Sequence, residues 1–177
     1  MIKVGNQFPK FHLTATVSND IDDAFVEITN ESYKDKWQIF FFWPKDFTFI
    51  CPTEILGFDA IIHELEKRNT VLLGGSTDSE FVHLAWRREK LSSIKFPMLS
   101  DIKRELTTAL GILDDEHGVA QRATFIVGPD SVVRFIMVTD LSVGRNPEEV
   151  LRILDALQTG GLCPCNWNKG EQTLTPS

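Results

Sequence analysis

The chain has 177 residues, 42% hydrophobic and 24% charged, with a net charge of −7. That length suits one domain with a real hydrophobic core, and the acidic balance argues against a general affinity for nucleic acid or an anionic membrane. No apolar run approaches the ~20 residues that cross a bilayer, and Met1 to Pro9 lacks the apolar core of a secretion signal, so the expected compartment is the cytoplasm.

In chain order, Ala24–Ile28 reads as a short strand. Lys36–Trp43, apolar from Ile39 onward, reads as a strand covered on both faces. Pro44 stops it. From Pro52 to about Lys67, Ile55, Leu56, Phe58, Ile61, Ile62 and Leu65 recur at helical spacing. Thr70–Gly75 is a second buried strand, and Asp78 or Ser79 caps a helix running to about Lys90. Ser92–Ser100 reads as a loop, Ile102–Leu110 as a short helix entered from Asp101, and Asp114–Gly118 as a charged loop. Thr124–Val127 and Val132–Val138, joined at Gly128-Pro129-Asp130, form an antiparallel hairpin. Asn146-Pro147-Glu148-Glu149 starts the last helix, with a capping side chain, proline first and glutamate third; Gly160-Gly161 ends it. The pattern is α/β, a central mixed sheet with helices on both faces. Residues 1–158 make the domain, and 159–177 a tail with neither helical nor strand period.

Three cysteines, one alone and two close together, are not the dense even set of a secreted disulfide scaffold. Cys51 sits where a buried strand hands over to a helix start. Pro52 fits the first turn, where its missing N–H has no helical partner, and Glu54 puts a carboxylate at the end that favours negative charge. A thiol there faces free backbone N–H groups and the positive end of the helix dipole, which favour the nucleophilic thiolate. Thr48 lies three residues before it, with a hydroxyl able to bond substrate or thiolate, and Pro44 stiffens and shields the loop. A thiolate attacking an O–O bond needs an activated sulfur, donors along the two oxygens and stabilisation of the leaving oxyanion. The plainer alternative is a buried structural cysteine. For Cys163-Pro164-Cys165 an alternative is structural zinc, which takes four ligands. Beyond Cys51 only His12, His63, His83 and His117 remain, none at ligand spacing from the pair.

Pro44, Thr48 and Cys51 match the P-x-x-x-T-x-x-C signature of peroxiredoxins, and Phe47 to Glu54 resembles the typical two-cysteine subgroup. The resemblance extends through Phe96 to Asp101, Arg122 to Ile126, Val143-Gly144-Arg145, and Cys163-Pro164 with Trp167, and is nearest to bacterial alkyl hydroperoxide reductase C subunits. It implies a thioredoxin-like fold and a peroxidase with no metal, haem or flavin of its own. Cys51 would be the peroxidatic cysteine, with Pro44, Thr48 and Arg122 around it and Glu54 and Arg145 supporting Arg122 by salt bridges. An arginine suits that place because it stays charged and offers several donors. Cys163 would be the resolving cysteine, carried on a mobile tail to Cys51 of a dimer partner. The resemblance further implies an obligate homodimer and, through Phe47 and Phe49, a ring such as a decamer. Thioredoxin, a flavin disulfide reductase or another dithiol protein would return the electrons. Cys165 departs from the family pattern and reads either as a second thiol in the relay or as a passenger. The short Arg88–Pro97 segment, without a glycine-rich insertion, and an ending without a tyrosine–phenylalanine pair imply resistance to over-oxidation. Two other readings remain: a thiol–disulfide oxidoreductase, weakened because Cys51 has no C-x-x-C partner, and an oligomeric holdase or peroxide sensor.

Overall fold

The structure, a computed structural model, describes residues 1–176. The elements run β1 (His12–Thr16), β2 (Phe25–Thr29), β3 (Trp37–Phe42), α1 (Cys51–Ala60), α2 (Ile62–Glu66), β4 (Thr70–Ser76), α3 (Glu80–Lys90), β5 (Met98–Ser100), α4 (Glu105–Leu110), β6 (Leu113–Asp114), β7 (Val119–Ala120), β8 (Arg122–Val127), β9 (Val133–Thr139) and α5 (Pro147–Thr159). Seven strands form one mixed sheet in the order β2-β1-β5-β4-β3-β8-β9, and β6 pairs with β7 separately. The β3–β4 and β4–β5 pairs are parallel; the rest are antiparallel.

Strand β3 is apolar from Ile39 onward because its alternate side chains feed two cores. Ile39, Phe41 and Trp43 point into the layer holding Cys51, Ile55, Phe58, Trp86, Val150 and Leu154. Phe40 and Phe42 enter the opposite layer with Leu73, Phe125, Leu106 and Leu110. Gly74 is demanded by this packing, since an added Cβ would lie 2.7 Å from both the Phe96 and Trp43 rings. The fold is thioredoxin-like α/β, with helices on both faces as the sequence pattern predicts.

Several expectations need correction. The helix expected over 52–67 breaks at Ile61 (φ −94°, ψ 1°), where the backbone ladder tightens to an N–H bond on Phe58 O at 3.3 Å. The loop expected at 92–100 contains β5, three residues made a strand by pairing with β1 and β4. Strand β1 gave no signal because only Leu13 and Ala15 alternate inward. The charged loop at 114–118 is the turn of the β6–β7 pair. Helix α4 begins at Glu105, later than expected, yet Asp101 does serve its start: its carboxylate accepts the Leu106 and Thr107 N–H groups at 3.2 and 2.7 Å. At α5 the Asn146 side chain caps Glu148 N at 3.0 Å, while Glu149 pairs with Arg152 rather than reaching back.

Candidate active site

Cys51 is the first residue of α1 and is fully buried. Strand β3 delivers the chain to this point through the Trp43–Ile50 loop, and β8 runs beside β3, so Arg122 at the head of β8 enters the same layer. Its Nη1 donates to Cys51 Sγ at 3.3 Å and to Glu54 Oε2 at 2.7 Å, while Nε donates to Leu141 O at 2.7 Å. Arg145, on the approach to α5, reaches the same carboxylate: its Nε and backbone N meet Oε1 at 2.7 and 2.9 Å, and Nη2 meets Oε2 at 3.0 Å. Its Nη1 donates to Ala123 O and Thr124 Oγ1, and its guanidinium lies 5.7 Å from the Phe41 and Phe58 ring centres.

Glu54 therefore accepts four hydrogen bonds, two at each oxygen. Burial pushes its carboxyl up, but the Arg145 bonds and charge, with Arg122 behind them, hold it below the usual carboxylate range. Burial pulls Arg145 down from its ordinary value against the pull of Glu54, yet a guanidinium keeps its proton in a protein. The cluster thus holds two cations against one carboxylate. A buried excess of positive charge is costly unless an anion joins it, and besides Glu54 the side chain that Arg122 Nη1 donates to is Cys51.

The other expected residues fall as follows. Pro44 and Thr48 lie half-buried in the loop before Cys51. The Thr48 hydroxyl donates to Lys45 O at 2.9 Å, and no hydrogen bond joins it to Cys51 among the described residues. Its oxygen keeps lone pairs free to accept. Cys163 is half-buried beyond the far end of α5, with Sγ 3.4 Å from Thr159 Oγ1 and 3.6 Å from Ala156 O. Helix α5 has 13 residues, or about 20 Å of length, and Arg145 near its start is already at the Cys51 site. An intact α5 therefore separates the two sulfurs within one chain. Cys165 is exposed, and all three cysteines are free thiols. The tail is docked rather than loose: Leu174 N bonds Leu162 O at 2.8 Å, Trp167 is buried, and Arg152 Nη1 holds Trp167 O at 2.7 Å. His12, His63 and His117 are exposed and pair with Glu27, Glu66 and Asp114, away from the cysteine pair.

Sequence reasoning missed a polar cluster buried under the loop. Asp46 accepts from Trp43 Nε1 at 2.7 Å and faces His83 Nδ1 at 2.6 Å; its backbone N donates to Asp78 Oδ2 at 2.9 Å. The available signals were an aspartate inside the aromatic run from Trp43 to Phe49 and a histidine on the apolar stripe of α3.

A cysteine backed by arginine at the head of a helix, on a thioredoxin-like sheet, is the mark of the peroxiredoxins. The model of the AhpC/TSA family matches residues 4–136, and the chain belongs to that family. It is 52% identical to alkyl hydroperoxide reductase C of Mycolicibacterium smegmatis, across 98% of this chain and 94% of that protein. It is 40% identical to peroxiredoxin-2 of Bos taurus, across 98% and 90%. Among solved structures, Mycobacterium bovis AhpC superposes with a TM-score of 0.86 at 48% identity, covering 95% of this chain and 99% of that one. The reduced Plasmodium vivax 2-Cys peroxiredoxin gives 0.92 at 35% identity, covering 100% and 95%. The chain is a peroxiredoxin-type enzyme.

Proposed function

We propose that the protein reduces hydrogen peroxide and organic hydroperoxides with Cys51 as the attacking sulfur and Cys163 of a second copy as the resolving thiol. The observation that carries this reading is the Arg122 guanidinium, 3.3 Å from Cys51 Sγ and locked by Glu54. A fixed cation stabilises charge on the sulfur, and its remaining donors suit the charge that develops on the peroxide oxygens. The thiolate attacks the nearer oxygen and the O–O bond breaks. The far oxygen leaves as water or alcohol once protonated, and Cys51 becomes a sulfenic acid. Pro44 and Thr48 line the approach, the Thr48 oxygen accepting a hydrogen from the peroxide.

Cys163 then displaces water from the sulfenic acid, forming a disulfide. The length of α5 argues for a second copy as its source, in a homodimer. Two thiols of a dithiol protein, thioredoxin or a flavin disulfide reductase among the candidates, exchange with that disulfide and restore both cysteines. Phe47 and Phe49, 46% and 94% exposed, offer an apolar surface for assembling dimers into a ring such as a decamer. Residues 1–158 act as the peroxidase domain and 159–177 as the resolving tail. No helix among the described residues is long and apolar enough to cross a membrane, in keeping with a peroxidase of the cytoplasm.

The test is peroxide consumption with a dithiol reductant, alongside non-reducing electrophoresis. Cys51→Ser should abolish turnover. Cys163→Ser should still consume one equivalent of peroxide but lose both turnover and the covalent dimer. Insulin reduction without peroxide would instead favour a thiol–disulfide oxidoreductase, and client protection that survives loss of Cys51 would favour a holdase.

A further inference from the structure

Behind the loop that carries Pro44 and Thr48 lies an ion pair that the chemistry above does not use. His83 and Asp46 are both buried, and their side chains have no exposed surface. His83 Nε2 lies 3.0 Å from Leu99 O. A carbonyl only accepts, so Nε2 carries a hydrogen. Nδ1 then meets Asp46 Oδ2 at 2.6 Å through a single shared proton, whichever partner formally owns it. The second carboxylate oxygen of Asp46 accepts from Trp43 Nε1 at 2.7 Å.

The chain on either side of Asp46 is fastened too. Trp43 N donates to Gly75 O at 3.0 Å, and Asp46 N donates to Asp78 Oδ2 at 2.9 Å. Asp78 is itself held by Ser76 Oγ at 2.7 Å. The next residue, Phe47, has φ of +58°, a left-handed backbone that a bulky side chain adopts only under constraint. One residue before Asp46, the Lys45 carbonyl fixes the Thr48 hydroxyl at 2.9 Å. A chain of contacts therefore runs from α3 and β5, through one proton, to the loop that lines the approach to Cys51.

We infer that the buried Asp46–His83 pair is a positioning device, which holds the Trp43–Ile50 loop in the strained shape that aligns a peroxide with Cys51. This rests on the reading of Cys51 as the peroxide-attacking sulfur. The pair touches neither the sulfur nor the Arg122–Glu54–Arg145 cluster, so it sets geometry and leaves the charge around the thiol unaltered.

The protonation behaviour fits. Burial pulls His83 down, but Asp46 and the Leu99 carbonyl more than offset it and raise His83 above its ordinary value. Asp46 is raised chiefly by burial. Asp78 faces both groups and adds in the same upward direction. A raised group contributes its full hold at and below its ordinary range, and loses it as pH climbs through the raised value. Loss of the proton would set the Nδ1 lone pair against the carboxylate, so the loop should loosen on the alkaline side of the usual histidine range.

The experiment compares two rates on each protein: oxidation of Cys51 by hydrogen peroxide and alkylation of Cys51 by iodoacetamide. His83→Asn keeps an N–H toward Asp46 and gives up the Leu99 carbonyl; His83→Gln does the reverse. The ratio of peroxide to alkylation rate should fall on the order of tenfold in His83→Gln and stay within about twofold of the parent in His83→Asn. The parent ratio should drop at alkaline pH, and His83→Asn should lack that drop. Equal losses in both variants, or none in either, would overturn the proposal. Should His83→Gln fail to fold, Trp43→Phe removes the donor to Asp46 Oδ1, together with part of a buried ring, and should lower the ratio about threefold; an unchanged ratio overturns the idea as well. A parent that consumes peroxide no faster than Cys51→Ser would instead sink the reading of Cys51, and the positioning role with it.

Discussion

The same side chain sits in two opposite settings in this protein. Cys51 has no exposed surface and a guanidinium 3.3 Å from its sulfur. Cys163 is half-buried, with a hydroxyl at 3.4 Å and a backbone carbonyl at 3.6 Å. Around Cys51 every polar group is fixed by another. Around Cys163 the polar partners belong to the last turn of α5, and helix ends fray. A sulfur that must meet a small diffusing oxidant benefits from a rigid, charged setting, because the geometry is prepaid. A sulfur that must meet another sulfur benefits from being able to move. In the proposed cycle Cys51 would also have to emerge from burial before Cys163 could reach it, so the two settings would be used in turn.

The largest effect within this contrast should come from Arg122. Arg122→Met removes the fixed cation beside the sulfur while keeping much of the side-chain bulk. The peroxide rate constant should fall on the order of 10²-fold, the usual cost of losing one preorganised donor, and iodoacetamide alkylation of Cys51 should slow as well. The joint loss would separate Arg122, proposed to act on the charge of the sulfur, from Asp46 and His83, which should leave alkylation nearly unchanged. If Arg122→Met retains parental peroxide reactivity, the charged setting is not what distinguishes Cys51 from Cys163.

Glu54 comes next. Among the described residues it is the only carboxylate bonded to Arg122 and Arg145, so Glu54→Gln leaves two buried guanidiniums without it. Breaking a buried pair in this way costs about 3 kcal/mol, measurable by denaturant unfolding. Because the Glu54 carboxyl is held below its ordinary value, its contribution is present above the usual carboxylate range and is lost as pH falls through the lowered value. Parent and variant should therefore converge in stability on acidification. A gap that persists at low pH would mean the glutamate stabilises by shape rather than charge.

How far such contrasts were legible beforehand depended on what each residue depends on. Strand β3, the α5 cap and the entry to α1 are encoded in contiguous residues and were readable as pattern. Cys51, Thr48 and Pro44 came from one short stretch, whereas Arg122 and Arg145 needed the resemblance, because 71 and 94 residues separate them from Cys51 in sequence (122 − 51 and 145 − 51). Strand β5, with three residues, is too short to carry a period, and β1 alternates only through Leu13 and Ala15; both are completed by pairing. The Asp46–His83 pair stayed hidden for a similar reason: its members stand 37 positions apart, and nothing local joins the aspartate in the loop to the histidine on α3. The packing of the tail rests on Arg152 and Trp167, a contact between helix surface and loop that no local pattern announces.

The smallest effect belongs to Cys165, and it sharpens the contrast most finely. Cys165 is exposed, two residues from Cys163 and across Pro164. Exposure leaves it open to thiol–disulfide exchange, and no hydrogen bond reaches its sulfur among the described residues. If Cys163 alone resolves Cys51, Cys165→Ser should leave the peroxide-induced covalent dimer intact and change turnover by less than about twofold. Mass spectrometry of the oxidised parent should then find Cys51 joined to Cys163. A dimer that persists in Cys163→Ser and vanishes in Cys165→Ser would exchange their roles. The exposed thiol, not the half-buried one, would then be the natural partner of the buried sulfur, and ease of approach would matter more than placement at the end of α5.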